Sequence, residues 1–238
     1  MKEYVIIVAG GSGARMQSET PKQFLPLDGK PILLRTIEAF ISYSEHISII
    51  LVLPPGEILR WEEICKDFRV SIPISLAKGG KSRSQSVKNG LAKIDTNESL
   101  VAIHDGVRPL VLPEIIVNSF RLAQTHGCAI ASTQLKESLR EVDKDLTKAA
   151  DRAKYRSIQT PQTFQTKLIK AAYNKFDELS GFTDDASVAE KDGQKILLFE
   201  GSYENIKITS PEDLLFAEAI LKNRKKGSGI SPTTFDTF

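Results

Sequence analysis

The chain opens on an unbroken apolar run, Tyr4-Val5-Ile6-Ile7-Val8-Ala9, which stops at Gly10-Gly11-Ser12-Gly13. A run of that length, rich in β-branched residues and without polar alternation, predicts a strand buried on both faces of a parallel sheet. Further strand-length runs follow at Ile47 to Leu53, halted by Pro54-Pro55, more weakly near Ile72 to Ala77, at Leu100 to His104 and at Cys128 to Leu135. Between them apolar residues fall at helical spacing, from Lys30 to Ile41 with Pro31 near the N-terminus, Glu57 to Phe68, Val87 to Leu91 and Leu112 to His126. Strands alternating with helices predict an α/β domain. The single tryptophan, Trp61, reads as surface or interface packing on the second helix.

The segment from Lys136 to Ile158 breaks this rhythm, being crowded with charge and poor in apolar residues, with Val142-Asp143-Lys144-Asp145-Leu146 as a hairpin turn. A two-stranded hairpin is marginal alone in water, so it either lies on its own domain or reaches onto a partner subunit. The chain returns through Thr160-Pro161-Gln162 to a helix from Lys167 to Phe176, and Asp184-Asp185 can start the next. Late strands are expected at Lys195 to Glu200 and Asn205 to Thr209, then a helix from Pro211 to about Lys222 with Ser210 as N-cap. From Arg224 onward periodicity is lost. The expected organisation is one domain over residues 1–226, with an arm at about 136–158, and a disordered tail over 227–238.

Composition narrows the class. At 238 residues with 41% hydrophobic residues, the chain can bury a sizeable single core. Its 32 basic and 30 acidic residues nearly cancel, so nothing global points to nucleic acid or membrane as a partner, and anion recognition must be local. Cys65 and Cys128 form neither a CxxC pair nor a zinc spacing and read as reduced thiols. Met1-Lys2-Glu3 leaves no room for a signal peptide before the first strand, so a cytoplasmic enzyme is expected.

The glycine turn after the first strand is either a tight connection or a phosphate loop. Arg15 and Lys22 close behind it favour the second, because backbone N–H groups and two cations suit a triphosphate. It is not a dinucleotide fingerprint, since Met16 stands where a third glycine or alanine should fall, and no glycine precedes Lys-Ser or Lys-Thr as in a Walker loop. A second glycine turn, Lys78-Gly79-Gly80-Lys81-Ser82-Arg83, runs into a helix, and Asp105-Gly106-Val107-Arg108-Pro109 sits at the carboxyl end of the fourth strand, where open parallel sheets bind ligands. Taken singly, Arg108 and Lys207 could be surface ion pairs, Asp105 and Thr183 helix caps. His104 reads as structural, with no metal-ligand spacing around it.

These motifs, with Asp151-Arg152, Thr160-Pro161-Gln162, Thr183-Asp184-Asp185-Ala186-Ser187 and Asn205-Ile206-Lys207-Ile208-Thr209, resemble the 2-C-methyl-D-erythritol 4-phosphate cytidylyltransferases of the non-mevalonate isoprenoid pathway, from Val5 to about Leu221. The resemblance implies a Rossmann-like nucleotidyltransferase sheet, mostly parallel, with a projecting β-arm that completes the neighbour's site in a homodimer. It implies transfer of a cytidylyl group from CTP to the polyol phosphate with loss of pyrophosphate. Arg15, Lys22, Arg152 and Lys207 would be the catalytic set. Ala9, Gly10, Gly11, Gly13, Asp105 and Gly106 would surround the nucleotide, with Gly80 and Ser86 reading cytosine and Mg²⁺ bridging the phosphates near Asp105. Asp105, Arg108, Thr160, Thr183 and Lys207 would hold the second substrate, joined by Ser138 and Arg152 of the arm. Lys81 stands where the family has an acid, and Glu137-Ser138 where it has aspartate and threonine. The competing readings are a cytidylyltransferase for another polyol phosphate, such as ribitol 5-phosphate, and a nucleotide-binding regulator that keeps the pocket without catalysis, which would show a degraded cation set, whereas Arg15, Lys22, Arg152 and Lys207 are all present.

Overall fold

Val5 and Ile7 face one way and Tyr4, Ile6 and Val8 the other, so the first strand feeds two separate hydrophobic cores. The computed structural model describes residues 1–10, 16, 18, 20–176, 179 and 181–227. In chain order, β1 (Lys2–Val8) is followed by the short ladder β2 (Pro26–Leu27) and β3 (Lys30–Pro31), then α1 (Ile32–Tyr43), β4 (Ser48–Leu53), α2 (Ile58–Asp67), β5 (Ile74–Lys78) and α3 (Arg83–Leu91). Next come β6 (Ser99–Asp105), α4 (Pro113–His126), β7 (Cys128–Gln134) and the hairpin β8 (Leu139–Asp143) with β9 (Leu146–Ala150). The described residues close with β10 (Arg156–Gln165), α5 (Thr166–Lys175), α6 (Asp185–Lys191), β11 (Leu198–Glu200) and α7 (Pro211–Lys225).

Seven strands make the main sheet in the order β11-β7-β10-β6-β1-β4-β5. All run parallel except β10, which is antiparallel to both β6 and β7. One face carries Leu33, Ile37 and Phe40 of α1, Trp61 of α2 and Phe120 of α4, and the other Val87 of α3, Ile169 and Tyr173 of α5 and Val188 of α6. Helices on both faces explain why β1, β4 and β6 contain almost nothing polar. Successive strands go from β1 outward to β4 and β5, and α3 then carries the chain back past β1 to β6. The carboxyl ends of β1 and β6 therefore flank a topological switch point, where such sheets bind ligands.

Several sequence expectations are corrected. Trp61 is 2% exposed and belongs to the core, because α2 has few apolar residues and turns its indole inward alongside Ile58 and Ile64. Thr160-Pro161-Gln162 lies inside β10. Proline ordinarily argues against an interior strand, but a register shift between Ile158 and Gln162 accommodates it, and the Thr160–Pro161 bond is cis. Asn205 to Thr209 is not a strand. It lies across the turn after β6, with Ile208 N–H donating to the Val107 carbonyl at 2.9 Å. The Lys195 to Glu200 strand is only Leu198–Glu200. Arg224 and Lys225 belong to α7, where Arg224 bridges to Glu204 at 2.7 Å and to the Leu110 carbonyl at 2.9 Å. The expected tail lies outside the described residues beyond Gly227.

Two caps follow the sequence reading. Ser210 and Asp213 form a capping box at α7 with Pro211 in the first turn, and Asp184 with Ser187 forms another at α6. The thiols of Cys65 and Cys128 are free. Among the described residues no helix is long and apolar enough to cross a membrane.

Candidate active site

Pairing of Val8 with Asp105 brings the ends of β1 and β6 level, and the Gly106 N–H donates to the Val8 carbonyl at 2.8 Å. Gly106 needs its missing side chain, since a Cβ there would stand 2.9 Å from the Ala9 Cβ and 3.1 Å from Leu33. Over this edge opens a cavity of about 290 Å³, walled by Ala9, Gly10, Lys22, Gly80, Ser86, Asp105 and Lys207 among others. Beside it a second cavity of about 250 Å³ is walled by Arg108, Thr160, Gln162, Thr183, Asp184, Asp105 and Lys207. Arg83, Asp105 and Lys207 line both. The cleft thus has two compartments with a shared charged wall.

Asp105 is the centre of that wall. Its Oδ1 faces Arg83 Nε at 3.3 Å, and its Oδ2 faces Lys207 Nζ at 3.0 Å and Arg108 Nε at 3.4 Å. Burial pushes its carboxyl upward, but Arg83, Lys207 and Arg108 outweigh burial and hold it well below the usual carboxylate range. For Arg83 burial is likewise overcome by Asp185 and Asp105, which raise it further. Burial dominates at Arg108 and lowers it, with Asp105 opposing. Three cations around one carboxylate leave a surplus of positive charge at the junction, which suits two incoming anions.

Behind this wall a polar network fixes the geometry. Arg108 Nη1 donates to the Asn205 carbonyl and Asn205 Nδ2 to the Thr160 carbonyl, both at 2.7 Å. His104 is fully buried, with Nε2 3.1 Å from the Arg108 carbonyl and Nδ1 3.0 Å from Thr160 Oγ1. At the other wall of the first compartment, the Gly80 N–H donates to Ser86 Oγ at 3.0 Å, and that hydroxyl donates to the Ser82 carbonyl at 2.9 Å. A Cβ at Gly80 would fall 2.2 Å from Gln85 Cγ, so the turn is closed tightly against the first turn of α3.

Of the residues expected at the site, Ala9, Gly10, Lys22, Gly80 and Ser86 meet in the first compartment. Arg108, Thr160 and Thr183 meet in the second, and Asp105 and Lys207 stand in both. Gly106 packs beneath the floor. Gly11, Gly13 and Arg15 lie outside the described residues. Ser138 and Arg152 line neither compartment. Both are exposed, and Arg152 donates through Nη1 to the Lys136 carbonyl at the base of the arm. Sequence reasoning gave Arg83 and Gln162 no role at the site and read Asp185 only as an acid starting a helix. One signal for Arg83 was available, because a cation at the first position of a helix opposes the helix dipole. Gln162 Oε1 accepts from the Asp185 and Ala186 N–H groups at 3.0 and 2.8 Å and so anchors the start of α6.

A mostly parallel sheet with a two-compartment, cation-walled cleft at its carboxyl edge defines an α/β nucleotidyltransferase-like protein. A sequence model of the 2-C-methyl-D-erythritol 4-phosphate cytidylyltransferase family matches residues 4–223. The enzyme of that name from Phocaeicola vulgatus is 44% identical over 221 residues, covering 93% of this chain and 100% of its own. The one from Geobacillus kaustophilus is 38% identical, covering 94% and 99%. Among solved structures, the 4-diphosphocytidyl-2C-methyl-D-erythritol synthase of Anaerococcus prevotii superimposes with a TM-score of 0.81 at 30% identity, covering 93% of this chain and 96% of that one. The chain belongs to the 2-C-methyl-D-erythritol 4-phosphate cytidylyltransferase family. It is a nucleotidyltransferase that moves a cytidylyl group from CTP to 2-C-methyl-D-erythritol 4-phosphate, and ribitol 5-phosphate is not the favoured substrate.

Proposed function

We propose that the first compartment holds CTP and the second the polyol phosphate, with reaction across the wall formed by Asp105, Arg83 and Lys207. The observation that carries this reading is that these three residues line both cavities. The backbone of Ala9, Gly10, Gly11 and Gly13 would approach the triphosphate, with Arg15 and Lys22 supplying charge, while Gly80 and Ser86 face cytosine and Asp105 and Gly106 lie below the ribose. Arg108, Lys207, Thr160 and Thr183 would surround the second substrate, with Arg108 and Lys207 on its phosphate. One phosphate oxygen attacks the α-phosphorus in line, the bond to the β-phosphate oxygen breaks, and its electron pair leaves with pyrophosphate. The attacking phosphate is already an anion, so no general base is needed, and the protein's work is alignment and neutralisation.

A divalent ion, Mg²⁺ in this reading, fits the first compartment only together with the triphosphate. Among the described residues no group of three or more His, Cys, Asp or Glu side chains could hold a metal. Among the described residues Asp105 is the one carboxylate lining that compartment, in keeping with magnesium's use of one or two carboxylates plus phosphate oxygens. When bound, the ion would neutralise charge on the leaving pyrophosphate.

The arm completes the site from a second copy in a homodimer. The hairpin β8–β9 is almost wholly exposed, with Val142 and Leu146 at 67% and 75%, and Arg152 and Ser138 at its base line neither of the two compartments described. Arg152 would then supply a planar two-donor contact to the partner's substrate phosphate. In this organisation residues 1–226 form one cytoplasmic domain with its arm and 227–238 a tail, acting on small anions and not on nucleic acid or membrane.

Arg108→Gln tests the division of the cleft, because Arg108 lines only the second compartment. It should raise KM for the polyol phosphate about tenfold or more while the Kd for CTP stays within about threefold, measured by pyrophosphate release and calorimetry. Equal losses for both substrates would reject the two-compartment assignment.

A further inference from the structure

A cation at the first position of a helix is unfavourable to that helix, so Arg83 at the start of α3 is placed for a contact elsewhere. Its Nε is 3.3 Å from Asp105 Oδ1 and its Nη2 2.8 Å from Asp185 Oδ2. These carboxylates stand on different elements, β6 and α6, so one planar group that lines both compartments ties the end of β6 to the start of α6. The far end is rigid. Asp185 is fully buried, and its Oδ1 accepts from the Tyr173 hydroxyl at 2.6 Å. The remaining nitrogen, Nη1, is buried without a hydrogen-bond partner among the described residues, so the two carboxylates dictate the pose and not saturation of the guanidinium's own donors.

The other cations on Asp105 are held differently. Lys207 is 40% exposed at its side chain, with Asp105 as its ion-pair partner among the described residues, and Arg108 reaches Asp105 at the longer 3.4 Å. On the reading above, on which this inference rests, both turn toward the substrate phosphate. Of the three side-chain cations now paired with Asp105, Arg83 alone would then remain beside it as it faces two polyanions, and a carboxylate released there would repel them. Arg83 cannot follow the phosphates, because Asp185 holds it.

We propose that Arg83 is a positioning residue for the polyol phosphate, keeping Asp105 seated when Arg108 and Lys207 move to substrate and tying the base-side turn at Gly80 to the α6 end that carries Thr183. A lysine in its place keeps the charge but not the rigid fork that serves two carboxylates at once. Asp185 is the second half of the same device.

The test compares Arg83→Lys, Asp185→Asn and the double variant with the unaltered protein, reading KM for 2-C-methyl-D-erythritol 4-phosphate, kcat, the calorimetric Kd for CTP and the melting temperature. The expected result for Arg83→Lys is a polyol phosphate KM raised about tenfold, with a CTP Kd changed by less than about threefold. Asp185→Asn should move KM in the same direction, and the double variant should be little worse than Arg83→Lys alone, since both changes cut one link. An unchanged polyol phosphate KM in both single variants overturns the proposal, as does a loss confined to melting temperature and active fraction. Additive losses in the double variant overturn it too. Arg108→Gln, run in parallel, separates the two claims: if its KM rises while the Arg83 and Asp185 variants are normal, the positioning role fails and the compartment assignment stands. If Arg108→Gln leaves the polyol phosphate KM unchanged, the compartment assignment fails.

Discussion

Thr160 Oγ1 lies 3.0 Å from His104 Nδ1, and the direction of that hydrogen bond is fixed. His104 Nε2 is 3.1 Å from the Arg108 carbonyl, which can only accept, so Nε2 carries the proton and Nδ1 must accept from the Thr160 hydroxyl. The same hydroxyl accepts from the Asp105 N–H at 3.2 Å. Its single proton is therefore committed inside the protein, and a direct contact to substrate could use only its remaining lone pair. Thr160 serves the site chiefly by holding the backbone at Asp105 and Arg108.

This arrangement requires a neutral His104, and burial holds its pKa down to about 4. The unfolded chain binds that proton near pH 6.5, so it holds more protons than the folded protein between those values, and stability falls as the pH is lowered through them. The full effect corresponds to about 3 kcal/mol by pH 4. Chemical denaturation between pH 7 and 4.5 should show this slope in the unaltered protein and a flatter one in His104→Gln. Parallel slopes would contradict the account. The carboxylate of Asp105 contributes in a lower window, because its folded-state value is depressed and its stabilisation is lost only as the pH falls below the ordinary carboxylate range.

Lys22→Ala should lower kcat far more than it raises KM for CTP. Lys22 is only 9% exposed and lines the first compartment, and in the proposed arrangement its ammonium would face charge that grows as pyrophosphate leaves. Loss of such a group costs about 3 kcal/mol, or roughly a hundredfold in rate. A variant with near-normal kcat would remove Lys22 from the catalytic set.

Nucleotide choice should depend on the Gly80–Ser86 pair. The Gly80 N–H bond to Ser86 Oγ holds this turn in one pose, and cytosine presents an amino donor where uracil presents an oxygen, so a turn matched to one base is mismatched to the other. CTP should be preferred strongly over UTP and ATP, and Ser86→Ala, which frees the turn, should reduce the CTP-to-UTP ratio of kcat/KM about tenfold. An unchanged ratio would take base reading away from this turn.

How much of this was legible from sequence differs element by element. β1, β4 and β6 announced themselves because strands buried on both faces leave continuous apolar runs, and the switch-point site follows from their order. β10 was hidden by Pro161, whose cost is absorbed by a bulge that no local pattern reveals. Alternation at Ile206 and Ile208 resembled a strand, yet sequence does not say whether an extended segment finds a ladder or, as here, lies over a turn. Lys207 and Arg108 were recognisable as cations in motifs. The role of Arg83 depends on Asp185, 102 residues away, and that long-range pairing is beyond what spacing can show.

The last prediction concerns sharing of the site between chains. In a single chain, Arg152 and Ser138 stand on an exposed arm and line neither compartment, while Lys22 is inside the cleft. If the arm crosses a two-fold axis, Arg152 of one subunit serves the site whose Lys22 belongs to the other. Proteins carrying Arg152→Ala and Lys22→Ala should each be nearly inactive, yet recover activity when mixed and allowed to exchange subunits. In the mixed dimer, one site has lost both residues and the other retains both. With random exchange half the dimers are mixed, each with one intact site of two, so recovery should approach roughly a quarter of normal activity if sites act independently. An arm folded back on its own domain would instead place both residues of one chain in one site and leave every site in the mixture defective. Exchange confirmed by native mass spectrometry without recovery would reject the shared site and leave the compartment assignment as it stands.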